Sequence, residues 1–221
     1  MRRFLIAVLV LILSTVAIVA GEASSDLKTL LDRLQKHYQQ TTSFSAKFQE
    51  EIAPAGGTKR EREGIVYYRK PGRMRWEFGG DDKELIVSDG KLLYNYQPDL
   101  NQVIETPLEQ AFKSSAAASF LLGIGNVQRD FDASTPKSPP ADGLAHVKLA
   151  PKNGGDTIEI GIDPATLDLK TLLLTDALGD VTELTFSDLK DGAPLDNKLF
   201  EFVAPAGADI VKAPEPDSPG T

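Results

Sequence analysis

The chain has 221 residues, of which 41% are hydrophobic and 25% charged, with a formal net charge of −8 and no cysteine. That length gives one domain a sizeable core and leaves too little for two. The acidic balance disfavours nucleic acid and anionic lipid headgroups as partners, and the missing cysteine excludes disulfide staples and a lipid-modified N-terminal cysteine.

Arg2 and Arg3 precede an apolar run from Phe4 to Leu13, extended to Ala20 with Ser14 and Thr15 as its polar breaks, and small residues follow at Gly21 and Ala23. This is the pattern of a secretory signal, so residues 1–23 are expected to be removed and residues 24–212 to form a single domain. Ser25-Asp26 offers a cap and a dipole-matched acid for a helix ending near Gln40, with Leu27, Leu30, Leu31, Leu34 and Tyr38 on one stripe. The period then changes to two. Phe44 to Gln49, Lys59 to Lys70, Arg73 to Phe78, Leu85 to Val87, Leu92 to Tyr96 and Val103-Ile104 read as strands of an antiparallel meander, punctuated by turns at Pro54 to Gly57, Pro71-Gly72 and Ser88 to Gly90. In Arg73 to Phe78, charge and large hydrophobe alternate, which puts Met74, Trp76 and Phe78 on one face and Arg73, Arg75 and Glu77 on the other.

Thr106-Pro107 marks a helix start, and two short helices are expected over Leu108 to Phe112 and Ser114 to Leu122, the second stopped by Gly123 and Gly125. Further strands are expected at Val127 to Phe131, His146 to Leu149, Thr157 to Ile162, Leu169 to Leu174, Val181 to Phe186 and Leu199 to Val203. From Ala213 the proline-rich end reads as a disordered tail, taken as residues 213–221. Roughly eleven strands with so few helices make a strongly curved antiparallel sheet, or incomplete barrel, the economical fold. The helices would cover its concave face.

The chain carries little chemistry. His37 and His146 are its two histidines, far apart and without companions at metal-ligand spacing. Serine three residues before lysine recurs at Ser25, Ser88 and Ser187 without companion acyl-transfer motifs, and there is no phosphate loop, zinc-protease motif or nucleophile elbow. Asp81, Asp82 and Glu84 lack calcium-loop spacing. The reading is therefore no enzyme, no cofactor and no metal. Lys59, Arg60, Arg62, Arg69, Lys70, Arg73 and Arg75 form a basic set in an acidic chain, and Arg73 and Arg75 are the candidates for docking an acidic partner. What remains is hydrophobic surplus. Phe44, Phe48, Met74, Trp76, Phe78, Leu85, Val87, Tyr94 and Tyr96 are candidate inward residues, joined by Phe120, Leu121, Leu122 and Ile124 from the inserted helices; periodicity leaves open whether they fill a core or line a cavity.

The motifs Phe44-x-Ala46-x-Phe48-Gln49, Gly64, Arg69-Lys70-Pro71-Gly72-Arg73-Met74-Arg75-Trp76-Glu77-Phe78, Val87-Ser88-Asp89-Gly90-Lys91 and Tyr96-x-Pro98-Asp99-Leu100-x-Gln102-Val103 resemble those of the LolA family of periplasmic outer-membrane lipoprotein carriers. The resemblance implies an unclosed antiparallel barrel of about eleven strands under a helical lid. It implies a periplasmic, monomeric chaperone whose cavity takes lipoprotein acyl chains, with Phe44, Phe48, Met74, Trp76, Phe78, Val87, Tyr94, Tyr96, Phe120, Leu121 and Leu122 as its walls. Implied partners are an inner-membrane ABC-type release complex and the outer-membrane receptor LolB or an equivalent. The alternative is a same-fold periplasmic binder of another amphiphile, or a regulatory module that senses lipoproteins. The family often places arginine before the proline, associated with holding the lid closed through its backbone; Lys70 stands there, and as a flexible stem with a compact charge it makes a looser latch.

Overall fold

The computed structural model describes residues 16–81, 83–114, 126–152 and 154–213. A helix α1 (Val16–Gln40) is followed by β1 (Ser43–Ala53), β2 (Arg60–Arg69), β3 (Arg73–Phe78), β4 (Leu85–Asp89), β5 (Leu92–Gln97) and β6 (Gln102–Pro107). After α2 (Leu108–Ser114) and a single helical turn α3 (Val127–Asp130) come β7 (Phe131–Ser134), β8 (Ala145–Pro151), β9 (Thr157–Ile162), β10 (Leu169–Thr175), β11 (Val181–Asp191) and β12 (Asp209–Lys212). The twelve strands of the described residues belong to one sheet in the order β12-β6-β5-β4-β3-β2-β1-β11-β10-β9-β8-β7. Every pairing is antiparallel except that of β12 with β6. β12 and β7 end the order without pairing to each other, so the sheet is unclosed, with one strand more than expected.

Three boundaries differ from the sequence reading. α1 is already helical at Val16, so Ser25 is not its cap in the full-length chain; Gly21, worth about 1 kcal/mol against alanine, is the one weak position across the join. The expected strand at Val127 begins instead with α3, because the Asn126 side chain accepts from the Arg129 amide (2.8 Å) and Asp130 accepts from the Asn126 amide (2.7 Å). The expected strand at Leu199 to Val203 is a 3₁₀ turn (Asn197–Phe200), capped by Asp196 on the Lys198 amide at 3.0 Å, followed by unpaired chain. The strand that does pair is β12. All four of its side chains are exposed, so it carries no alternation to read.

Residues opposite one another in antiparallel strands share a face. Phe44, Tyr68 and Met74 are in register across β1, β2 and β3; so are Phe48, Gly64 and Phe78; Val66, Trp76 and Ile86 align across β2, β3 and β4. This is the concave face. Over its β8–β11 half, Leu31 and Leu34 of α1 bury against Val147, Leu149, Ile158, Ile160, Leu172 and Leu184, each such leucine worth about 1.5–3 kcal/mol. α1 is also tied down by polar contacts: Gln35 accepts from the Val127 amide (3.0 Å) and the Tyr38 hydroxyl accepts from the Leu169 amide (3.3 Å).

The convex face of β2–β5 is covered too. After β11 the chain turns at Gly192, whose amide donates to Ser43 O, and residues 193–208 run back as a strap. Arg69 Nη1 donates to Leu195 O (3.0 Å), its guanidinium lies 4.7 Å over the ring of the buried Phe200, and Arg75 Nη1 reaches Leu199 O at 3.3 Å. Phe202 stacks on Tyr94 at 5.0 Å and lies 6.4 Å from Tyr96. Asn101 Nδ2 donates to Gly207 O (2.8 Å), delivering the chain to β12.

Candidate binding cavity

Beyond the C-terminal end of α1, the concave face of β1–β5 and β10–β11 lines a partly open cavity of about 310 Å³. Its axis follows the strands. At the mouth stand His37, Tyr38 and Thr41 of α1 and its following turn, with Phe44, Asp168 and Asp191; deeper come Tyr68, Met74, Leu93, Val66, Trp76, Ile86, Leu189 and Phe186; at the floor lie Phe78, Leu184, Glu50 and Arg62. The aromatic wall is built on a missing side chain. Phe48 sits over Gly64, where a Cβ would fall 2.7 Å from the ring and 2.0 Å from Glu77 O, and from there it meets Trp76 (4.8 Å) and Phe78 (5.1 Å, edge-on). Trp76 in turn lies 6.3 Å from Phe186.

Of the residues expected to form the walls, Phe44, Met74, Trp76 and Phe78 line the space, and Phe48 is buried behind it, 1% exposed. Val87, Tyr94 and Tyr96 require correction. Trp76 pairs with Ile86, so Val87 pairs with Arg75, and through the β4–β5 register Val87 faces Tyr94 while Tyr96 faces Leu85. All three side chains therefore lie on the convex face, where the two tyrosines seat Phe202. Leu85 belongs there as well. Ile86 and Leu93 take their place in the cavity. The sequence signal for this was the parity set by Trp76, had the β3–β4 register been known. Phe120, Leu121, Leu122 and Ile124 lie outside the described residues, as does the expected second lid helix apart from Ser114.

Lys70 Nζ donates to the carbonyls of Tyr38 (2.5 Å) and Gln39 (2.9 Å), the last turn of α1. The contact neutralises helix-end carbonyls that have no partner within the helix and holds the roof of the mouth onto the β2–β3 turn. Burial lowers the Lys70 pKa from its ordinary value. Within the cavity, burial pushes the Tyr68 hydroxyl up to about 12, and that of Tyr38 is also raised, first by burial and against the Leu169 amide bond. Arg75 is engaged by Glu77 (2.5 Å) and Leu199 O, so its charge is partly spent inside the molecule. Arg73, half-buried on the same convex face, stands opposite Asp89. The space itself offers an apolar, aromatic-rich interior with a polar mouth, and among the described residues no group of His, Asp or Glu is disposed to hold a metal ion. What it can do is shelter a hydrocarbon.

Comparison with known proteins follows the same line. The model of the family described as "Outer membrane lipoprotein carrier protein LolA" matches residues 39–203. An outer-membrane lipoprotein carrier protein of Methylobacillus flagellatus is 34% identical over 185 residues, covering 82% of this chain and 88% of its own. One of Bordetella avium is 31% identical over 222 residues, covering 96% of this chain and the whole of its own. Among solved structures, an uncharacterized conserved protein from Thermus thermophilus superposes with a TM-score of 0.53 at 19% identity, over 85% of this chain and 99% of that one, a likeness of fold.

Proposed function

The chain belongs to the LolA family of outer-membrane lipoprotein carrier proteins, and from that premise we propose that it carries lipoproteins through the periplasm with their acyl chains in the cavity beneath α1. The observation that supports this reading is the cavity itself: a partly open, mainly apolar space lined by Phe44, Tyr68, Met74, Trp76, Ile86 and Phe186, with His37 and Tyr38 of α1 at one end. Residues 1–23 act as a cleaved export signal, so the mature carrier starts between Gly21 and Ser24. An inner-membrane ABC-type complex loads it, an outer-membrane receptor of the LolB kind unloads it, and it travels as a monomer without catalytic function.

Energetics set how such a carrier must work. A methylene buried is worth about 0.8 kcal/mol, so full burial of several acyl chains would make release very slow unless something opposes it. The opposing contribution comes from moving the roof. Opening it strips Lys70 from the α1 carbonyls and exposes apolar helix, and that cost is subtracted from the binding energy. Retention is thereby held to a level at which handover remains feasible.

Native mass spectrometry of the protein recovered from a Gram-negative periplasm tests the proposal. A bound lipidated protein, lost when Trp76 is replaced by a charged residue, is the expected result. An empty carrier under conditions in which lipoproteins are being released, or a bound non-lipidated polypeptide, would refute it.

A further inference from the structure

At its floor the cavity stops being apolar. Glu50 and Arg62 pair across β1 and β2 one step below Phe48 and Gly64, on the same inward face. Arg62 Nε donates to Glu50 Oε2 and Arg62 Nη1 to Glu84 Oε2, both at 2.6 Å, while Asn95 Nδ2 donates to Glu84 Oε1 at 2.8 Å. The guanidinium lies 4.1 Å over the ring of Phe78, an apolar side chain of the wall. The side chains of Arg62, Glu50 and Glu84 are 12%, 11% and 17% exposed. Glu50 and Arg62 also border a polar basin of about 770 Å³ whose exposed Glu61, Glu63 and Glu183 belong to the opposite face of the sheet.

Stability does not account for a triad of this kind, since apolar residues of similar volume in place of a buried ion pair are often neutral or stabilising. We propose that Glu50, Arg62 and Glu84 form a bulkhead that fixes the depth of the cavity and with it the length of acyl chain that can be fully buried. The proposal rests on the acyl-carrier reading and adds a specificity-determining element to it. A chain end that reaches Phe78 can advance only by parting Arg62 from its carboxylates and leaving buried charges unpaired, a penalty larger than any methylene returns. Longer chains must leave their excess at the mouth, near His37.

The test is displacement of a fluorescent hydrophobic dye by saturated fatty acids from decanoate to eicosanoate, each below its aggregation concentration. In the wild-type protein, affinity should rise about fourfold per added methylene and then stop rising at one chain length. In the triple variant Glu50→Gln, Arg62→Leu, Glu84→Gln, which leaves no buried charge behind, the rise should continue for at least two more methylenes, making the longest chains roughly sixteenfold tighter than in wild type. Arg62→Lys, which keeps the charge in place, should reproduce the wild-type break, and it serves as the folded control if circular dichroism shows the triple variant unfolded. A wild-type series without a break, a break at the same length in the triple variant, or a break that moves in Arg62→Lys would overturn the bulkhead. Failure of every fatty acid to displace the dye from any form would instead overturn the acyl-binding reading, and the bulkhead with it.

Discussion

Replacing Lys70 by leucine should make the carrier hold its cargo more tightly and deliver it less well. The side chain donates to two carbonyls at the end of α1, at 2.5 and 2.9 Å, and both contacts must break when the roof lifts. Hydrogen bonds involving a charged group are worth roughly 1.5–3 kcal/mol, but Lys70 is only partly buried, so solvent screening brings the pair down to about 1–2 kcal/mol. Removing it shifts the closed-to-open ratio about five- to thirtyfold toward open. Because that cost no longer opposes loading, affinity for a hydrophobic dye should rise by the same factor, and transfer to the receptor should slow correspondingly. Lys70→Arg should preserve transfer, its fork reaching the same two carbonyls. Dye titration gives the affinity, Trp76 emission reports filling from inside the cavity, and passage of a lipoprotein to receptor-bearing membranes gives delivery. Unchanged affinity and transfer in Lys70→Leu would show that the roof is held by other contacts, and a Trp76 signal blind to loading would refute its place in the wall.

Gly64→Ala should cost about 1–3 kcal/mol, because its Cβ collides with Glu77 O and with Phe48; a melting temperature within a degree of wild type would contradict the packing. Phe202→Ala should loosen the strap, seen as faster hydrogen exchange over residues 199–212, while dye affinity stays constant because Tyr94 lies on the face away from the cavity. Arg73→Glu should slow association with an acidic partner several-fold at low salt, with the difference vanishing at high salt and dye uptake unaffected; equal loss of dye binding would make the residue structural. Tyr68, pushed up to about 12 by burial against an unfolded value near 10, favours its neutral form in the fold. Its contribution to stability is complete below pH 10 and is lost as pH climbs toward 12. In an absorbance titration the late-ionising phenols should decrease by one in Tyr68→Phe, and titration of Tyr68 in the ordinary range would contradict its burial.

Much of this molecule is written locally. The alternation of Arg73 to Phe78 determined which side chains of β3 share a face, the leucine stripe of α1 determined what it buries, and the glycine and proline turns determined the meander, because each depends on neighbours a few residues away. The motifs around Phe48, Gly64 and Pro71 were enough to point to a lipoprotein carrier. Tertiary structure decided which face of β4 and β5 looks inward. Leu85-Ile86-Val87 is apolar throughout, and Tyr94 and Tyr96 alternate with Leu93 and Asn95, because both faces of these strands are covered, one by the cavity wall and the other by Phe200 and Phe202 of the strap. With two apolar faces, periodicity carries no parity, and a slip of one residue exchanges wall for outer surface. The strap itself could not be foreseen for a related reason: β12 is fully exposed, so its place beside β6 comes from backbone pairing and the Asn101 contact more than a hundred residues away in sequence. Likewise, Arg62 sits in a run of mixed charge, Lys59 to Glu63, that reads as solvated surface, and only the register that brings Glu50 and Glu84 to its two ends turns it into the floor of the cavity.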